Sequence, residues 1–178
     1  MTEEAAMASN DKVATASFRS YEIMLRILVF LFTFVAAVLV CVDKQTKRIY
    51  GVPFTAKWQN LSALVFFLIS NNIAWLYAAG SVIYAKAAGS KNSKGKLVVM
   101  LLDLMILGLQ FSAIGAATAV GVLGQYGNSH TNWHKVCYVF SAFCEQMLAA
   151  LILSISGTFV LLWLVVIAVF HLYKGSIR

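Results

Sequence analysis

The stretch YEIMLRILVFLFTFVAAVLVCV, Tyr21 to Val42, decides the fold. Only 16 uncharged residues separate Arg26 from Asp43, and at 1.5 Å per residue they make about 24 Å of helix, short of a ~30 Å hydrocarbon core. A spanning helix must therefore start near Tyr21. That start carries Arg26 inside the membrane boundary, where a charge has to snorkel or find a partner.

Working outward, three more apolar runs follow, and 61% of the 178 residues are apolar against 12% charged, with a single proline. No water-soluble fold of this size could hide so much apolar surface. The chain is expected to be an all-α integral membrane protein, a bundle of four transmembrane helices over about 21–42, 59–85, 97–124 and 136–173. The last run is long enough to project beyond the lipid. Residues 1–20 read as a disordered cytosolic arm, 21–173 as the membrane domain and 174–178 as a cytosolic tail. The arm lacks the apolar centre of a cleavable signal, so the first run is expected to remain as an anchor. Trp58, Trp75, Tyr77 and Tyr84, in or beside the second span, read as lipid-facing packing, with some available for interfacial belts.

The net charge of +7 reports orientation rather than nucleic-acid binding, because the basic residues sit in loops between apolar runs and no base- or phosphate-reading fold accompanies them. One side carries Lys12, Arg19, Lys86, Lys91, Lys94, Lys96, Lys174 and Arg178, and the other Lys44, Lys47, Arg48, Lys57 and Lys135. Eight against five places both termini in the cytosol. The outward loops, roughly 43–58 and 125–135, are then too short for more than a compact recognition surface.

Asp103 in the third span is the counterpart of Arg26. The two helices run in opposite directions, and both residues fall about one to two turns from the cytosolic side, so they lie at similar depth. Opposite charges in hydrocarbon offset much of each other's cost by pairing. Such a pair is either a latch fixing spans one and three or part of an ion path, and the latch is the better reading because a path needs further titratable groups along its length. Span three also carries two series of small residues at four-residue spacing: Gly108, Ser112 and Ala116, then Ala113, Ala117 and Gly121. Small side chains aligned on one helix face admit a neighbouring backbone, within the molecule or in another protomer. Asn71, Asn72 and Gln110 are expected to hydrogen-bond across the bundle.

Chemistry is sparse. Cys137 and Cys144 would lie roughly 10 Å apart on a continuous helix, too far for a disulfide, and can bond only if the helix starts after Cys137. Cys41 is another candidate partner, or a buried apolar residue. His130 and His134 have helical ligand spacing but lack further ligands, so no metal or cofactor is expected. No nucleophile has an assigned base, and no enzyme activity is expected.

The arginine and aspartate of spans one and three, the text DKQTKRIYGVPFTAKW (Asp43 to Trp58), and GNSHTNWHKVC (Gly127 to Cys137) followed by Phe143 and Cys144 resemble the Casparian strip membrane domain-like (CASP-like) family of plants, which is related to the MARVEL four-span proteins. The resemblance covers nearly everything after residue 20. It implies a non-enzymatic plasma-membrane protein that forms homodimers, heterodimers with related proteins, or larger patches. Founding members of that family build a scaffold that restricts lateral diffusion and organises cell-wall-modifying proteins. Their first outer loop bears a short signature that is absent between Asp43 and Trp58, so the chain resembles the broader branch. The favoured expectation is a membrane scaffold, with a channel or transporter using Arg26 and Asp103 as the alternative.

Overall fold

The structure, a computed structural model, describes residues 2–49, 52–87, 93–131, 133 and 135–176. Inside lipid every backbone N–H and C=O must be satisfied within the chain, so each long apolar run becomes helix. Among the described residues four such runs are long and apolar enough to cross a membrane: Arg19–Val42, Ser62–Ala87, Leu97–Tyr126 and Ser141–Phe170. They lie within helices α1 (Thr2–Val42), α2 (Ser62–Ala87), α3 (Ser93–Tyr126) and α5 (Ser141–Ser176). A one-turn α4 (Val136–Val139) precedes α5, and strands β1 (Lys44–Ile49) and β2 (Val52–Lys57) join α1 to α2.

Each of the four runs differs in its bounds from the sequence reading, α3 by starting at Ser93 and ending at Tyr126 rather than covering 97–124. α1 reaches back to Thr2 through the segment expected to be a disordered arm. Nothing interrupts it, since no glycine or proline occurs before Val42, the run Ala5 to Ala8 favours helix, and Glu3 and Glu4 suit a helix start. α2 starts at Ser62 rather than Gln59, because Trp58–Asn60 forms a 3-10 turn. The fourth run is not one helix: α4 ends at Val139, before Phe140, whose φ of −114° and ψ of 58° lie outside the helical region, and α5 then continues into the expected tail as far as Ser176.

The loop over 43–58 holds a structure that the sequence reading did not specify. β1 and β2 pair antiparallel, from Lys44 opposite Lys57 to Ile49 opposite Val52. Pro53, the single proline of the chain, is tolerated because a two-stranded ribbon consists of edges only. At the far end of α3, Gly127 takes a φ of +73° and donates to the Leu123 carbonyl at 2.9 Å, stopping the helix. A side chain there would also meet the Trp133 carbonyl at 2.8 Å.

The helices form a ring in which α1 packs on α2 and α5, and α3 likewise packs on α2 and α5. α1 and α3 therefore stand at opposite corners. Near the hairpin, Val40, Phe67, Ala113, Phe140 and Ala150 belong to one buried cluster, and towards the termini Val29, Ala78, Leu107 and Leu161 form a second. α5 approaches α1 closely at Gly157, where an added Cβ would lie 3.0 Å from that of Phe32. Outward surfaces are apolar, as lipid contact requires, with Leu31, Leu76, Met105, Phe159 and Trp163 among the exposed residues.

Candidate functional site

Arg26 extends from α1 across the bundle axis to Asp103 on α3, and the two residues are 3% and 1% exposed. Neighbouring helix axes lie 8–10 Å apart, so opposite corners are separated by about 11–14 Å, a gap that only a long side chain closes. Nη1 donates to Oδ1 at 3.1 Å and Nη2 to Oδ2 at 2.9 Å, the two-pronged geometry that a planar guanidinium offers a carboxylate. Tyr77 on α2 donates its hydroxyl proton to Asp103 Oδ1 at 2.7 Å, and the Val99 carbonyl lies 3.1 Å from the same hydroxyl. Glu22, one turn before Arg26, accepts from Nε at 3.4 Å and from Nη2 at 3.3 Å, and it is partly exposed. Three helices thus meet at one carboxylate.

Two of these partners escaped the sequence reading. Tyr77, expected with Trp58, Trp75 and Tyr84 to be lipid-facing packing or part of an interfacial belt, turns inward to Asp103, whereas Tyr84 is exposed and Trp75 sets its ring edge-on to Phe30 and Phe34. Glu22 carried a usable signal, since a carboxylate four residues before an arginine shares its helix face. Nearer the termini, Arg19 donates to the Ala85 and Lys86 carbonyls and so closes the C-terminal end of α2.

A second polar layer lies seven residues further along α3, about 10 Å deeper. Gln110 Nε2 donates to Asn71 Oδ1 at 3.4 Å and Ser154 Oγ to the same atom at 3.0 Å, joining α3 and α5 to α2. Asn71 Nδ2 donates to the Phe67 carbonyl at 2.8 Å. Asn72 departs from the expectation of a cross-bundle bond: it donates to Leu68 in its own helix and accepts from Trp75 Nε1. By position along α1 and α3, Val29 and Leu107 separate the two layers, and both belong to a buried apolar cluster.

The hairpin end is tied as well. Gln146 donates to the Leu39 carbonyl at 2.9 Å, and Gln45 accepts from the Phe143 N–H at 3.0 Å. Cys137 and Cys144 form a disulfide with Cα atoms 5.6 Å apart, which the break at Phe140 permits. Cys41 is free and exposed. Asp43 is 3% exposed with no partner for Oδ2 among the described residues, and burial pushes its carboxyl up to about 6.

The small residues of α3 divide by face. Ala113 and Ala117 are buried within the bundle, Ala116 is half-buried, and Gly108, Ser112 and Gly121 look outward. Gly115, which neither series included, also faces outward, and a Cβ added at Gly108, Gly115 or Gly121 would meet nothing within 4 Å. His130 is exposed, whereas His134 lies outside the described residues. Among the described residues no three potential metal ligands gather.

A family model described as Casparian strip membrane protein domain matches residues 15–160. CASP-like protein 1E1 of Vitis vinifera is 49% identical over 168 residues, covering 88% of this chain and 83% of that protein. CASP-like protein 1E1 of Glycine max is 44% identical, covering 87% and 88%. CASP-like protein 1E1 of Sorghum bicolor is 35% identical, covering 93% and 77%. No solved structure matches the chain.

Proposed function

Because the chain belongs to the Casparian strip membrane protein domain family, we propose that it is a non-enzymatic scaffold of the plasma membrane, a cross-tied four-helix unit that assembles side by side with copies of itself and with related proteins. The supporting observation is the lipid-facing surface of α3. Only 22% of its spanning window is buried inside the bundle, against 33–39% for the other three spans. Gly108, Ser112 and Gly115 lie on this surface, and without bulky side chains there a second helix can approach backbone to backbone.

Arg26 and Asp103 act in this reading as the latch that keeps each unit rigid. Their charges neutralise each other, and the apolar residues Val29 and Leu107 stand between them and the next polar layer. A conduit would need polar groups bridging that interval; buried Thr158, one turn past Ser154, instead donates to the Ser154 carbonyl of its own helix at 2.8 Å, so the layered arrangement favours a scaffold over a channel.

Both termini are cytosolic in the proposed topology, and the hairpin faces outward. The basic-residue distribution supports this orientation, and so does the disulfide at the hairpin end, since disulfides persist on the oxidising side of the membrane. Wall-side proteins would then meet the hairpin and the segment carrying α4.

Single-molecule tracking of the tagged protein in a plant plasma membrane tests the scaffold. Immobile patches are expected, and Gly108→Leu with Ser112→Leu should return molecules to free diffusion while leaving the monomer folded. Free diffusion of the unmutated protein would refute the proposal.

A further inference from the structure

The hairpin places cations where membrane topology disfavours them. Lys44, Lys47 and Arg48 are exposed and Lys57 half-buried, all in the first of the two loops that the proposed orientation turns away from the cytosol. Among the described residues none of the four makes an ion pair. The nearest carboxylate in sequence, Asp43, is buried.

Strand alternation divides these residues between two faces. One face carries Lys44, Thr46 and Arg48 from β1 opposite Lys57, Thr55 and Pro53 from β2. The Thr46 and Thr55 hydroxyls, 3.0 Å apart, mark it as a shared surface. The other face is docked at its base, because Gln45 bonds to Phe143 and Ala56 packs on the buried cluster. The cationic face therefore points away from the bundle. On it Lys44 stands directly opposite Lys57, an arrangement that repels in a two-stranded ribbon unless an anion lies between the two ammonium groups.

The spacing selects the kind of anion. Lys44 and Arg48 are separated by four residues of strand, about 13 Å, beyond the reach of a single phosphate headgroup. An extended polyanion can touch both. Between the cations lie two hydroxyls, which suit a ligand bearing hydroxyls as well as carboxylates and offer less to an acidic peptide. We propose that this face of the hairpin binds an acidic polysaccharide, a uronic-acid polymer with a carboxylate and free hydroxyls on each sugar. The inference rests on the outward orientation of the hairpin proposed above, and it would give the scaffold a direct hold on an extracellular matrix.

The test is fluorescence anisotropy of labelled oligogalacturonate titrated with the full-length protein in phosphatidylcholine nanodiscs. Saturable binding that weakens with added salt is expected. Lys44→Gln combined with Arg48→Gln should weaken it about tenfold, the sum of contacts that are individually modest at a surface. Lys47→Gln, on the other face, should change it less than about twofold and controls for general loss of charge or folding. Equal binding by the double variant, equal binding of a poly-glutamate peptide, or binding confined to phosphatidylserine vesicles would each overturn the proposal. Immobile patches formed by a protein that binds no oligogalacturonate would sink this inference and leave the scaffold standing; binding without patches would do the reverse.

Discussion

Replacing Tyr77 with phenylalanine removes one hydroxyl and almost no volume, and with it the bond to Asp103 and the longer contact to the Val99 carbonyl. That bond is 2.7 Å long and ends on a carboxylate that is 1% exposed. Hydrogen bonds to charged groups contribute roughly 1.5–3 kcal/mol in proteins, whereas interhelical hydrogen bonds in membranes average about 0.6 and reach about 1.7 kcal/mol. A buried ionic acceptor with few alternative partners in the unfolded membrane state belongs near the upper membrane figure, so Tyr77→Phe should cost about 1.5 kcal/mol. The assay is reversible unfolding in bicelles by steric trapping, run as a double-mutant cycle with Asp103→Asn. Once Asp103 is neutral the tyrosine proton should matter less, and the cycle should return a coupling of about 1 kcal/mol. A loss below about 0.3 kcal/mol, or an equal loss in both backgrounds, would refute the reasoning, because the hydroxyl would then be acting independently of the carboxylate.

Two further outcomes are expected at the hairpin end. Cys137→Ser should lower stability by about 2–3 kcal/mol, the loop-closure contribution of a short disulfide loop, read from the denaturation midpoint under non-reducing conditions; an unchanged midpoint would contradict it. Asp43 has a folded-state carboxyl raised to about 6 from an ordinary value of 3.8, so the folded state takes up its proton first and stability should rise as pH falls through 6 towards 4. Thermal melts of Asp43→Asn should be higher than those of the parent at pH 7 and should lose this part of the pH dependence, and parallel pH profiles would contradict the assignment.

Much of the fold was legible because the controlling quantity was length. The interval from Arg26 to Asp43 is too short to span, so the charge had to enter the membrane, and the antiparallel geometry of spans one and three put Asp103 at its level. The ring order of the helices was not legible, because lipid-facing and bundle-facing residues are equally apolar and leave little amphipathic signal. For that reason the sequence could not reveal that the ion pair crosses a diagonal. Tyr77 was hidden for a related cause: it lies ten residues before the end of α2 at Ala87, and a tyrosine within a span suits lipid-facing packing as well as a buried carboxylate. The hairpin lay in a loop whose alternation, with Gln45 and Ala56 inward and Thr46 and Thr55 outward, becomes readable only once the two strands are paired. The disulfide was conditional on the helix starting after Cys137, and no proline or glycine marks Phe140 as the point where α4 gives way to α5.

The measurement closest to the central claim is exchange of the two charges. Arg26→Asp and Asp103→Arg, made singly, each leave two like charges facing one another in a dry core and should sharply reduce the folded fraction recovered in bicelles, by about 3–5 kcal/mol in stability. Made together they restore an opposite pair, with the long side chain now reaching from α3, and folding should recover most of that loss. Failure of the double variant to recover, or single variants that fold as well as the parent, would contradict a bundle held together by this pair.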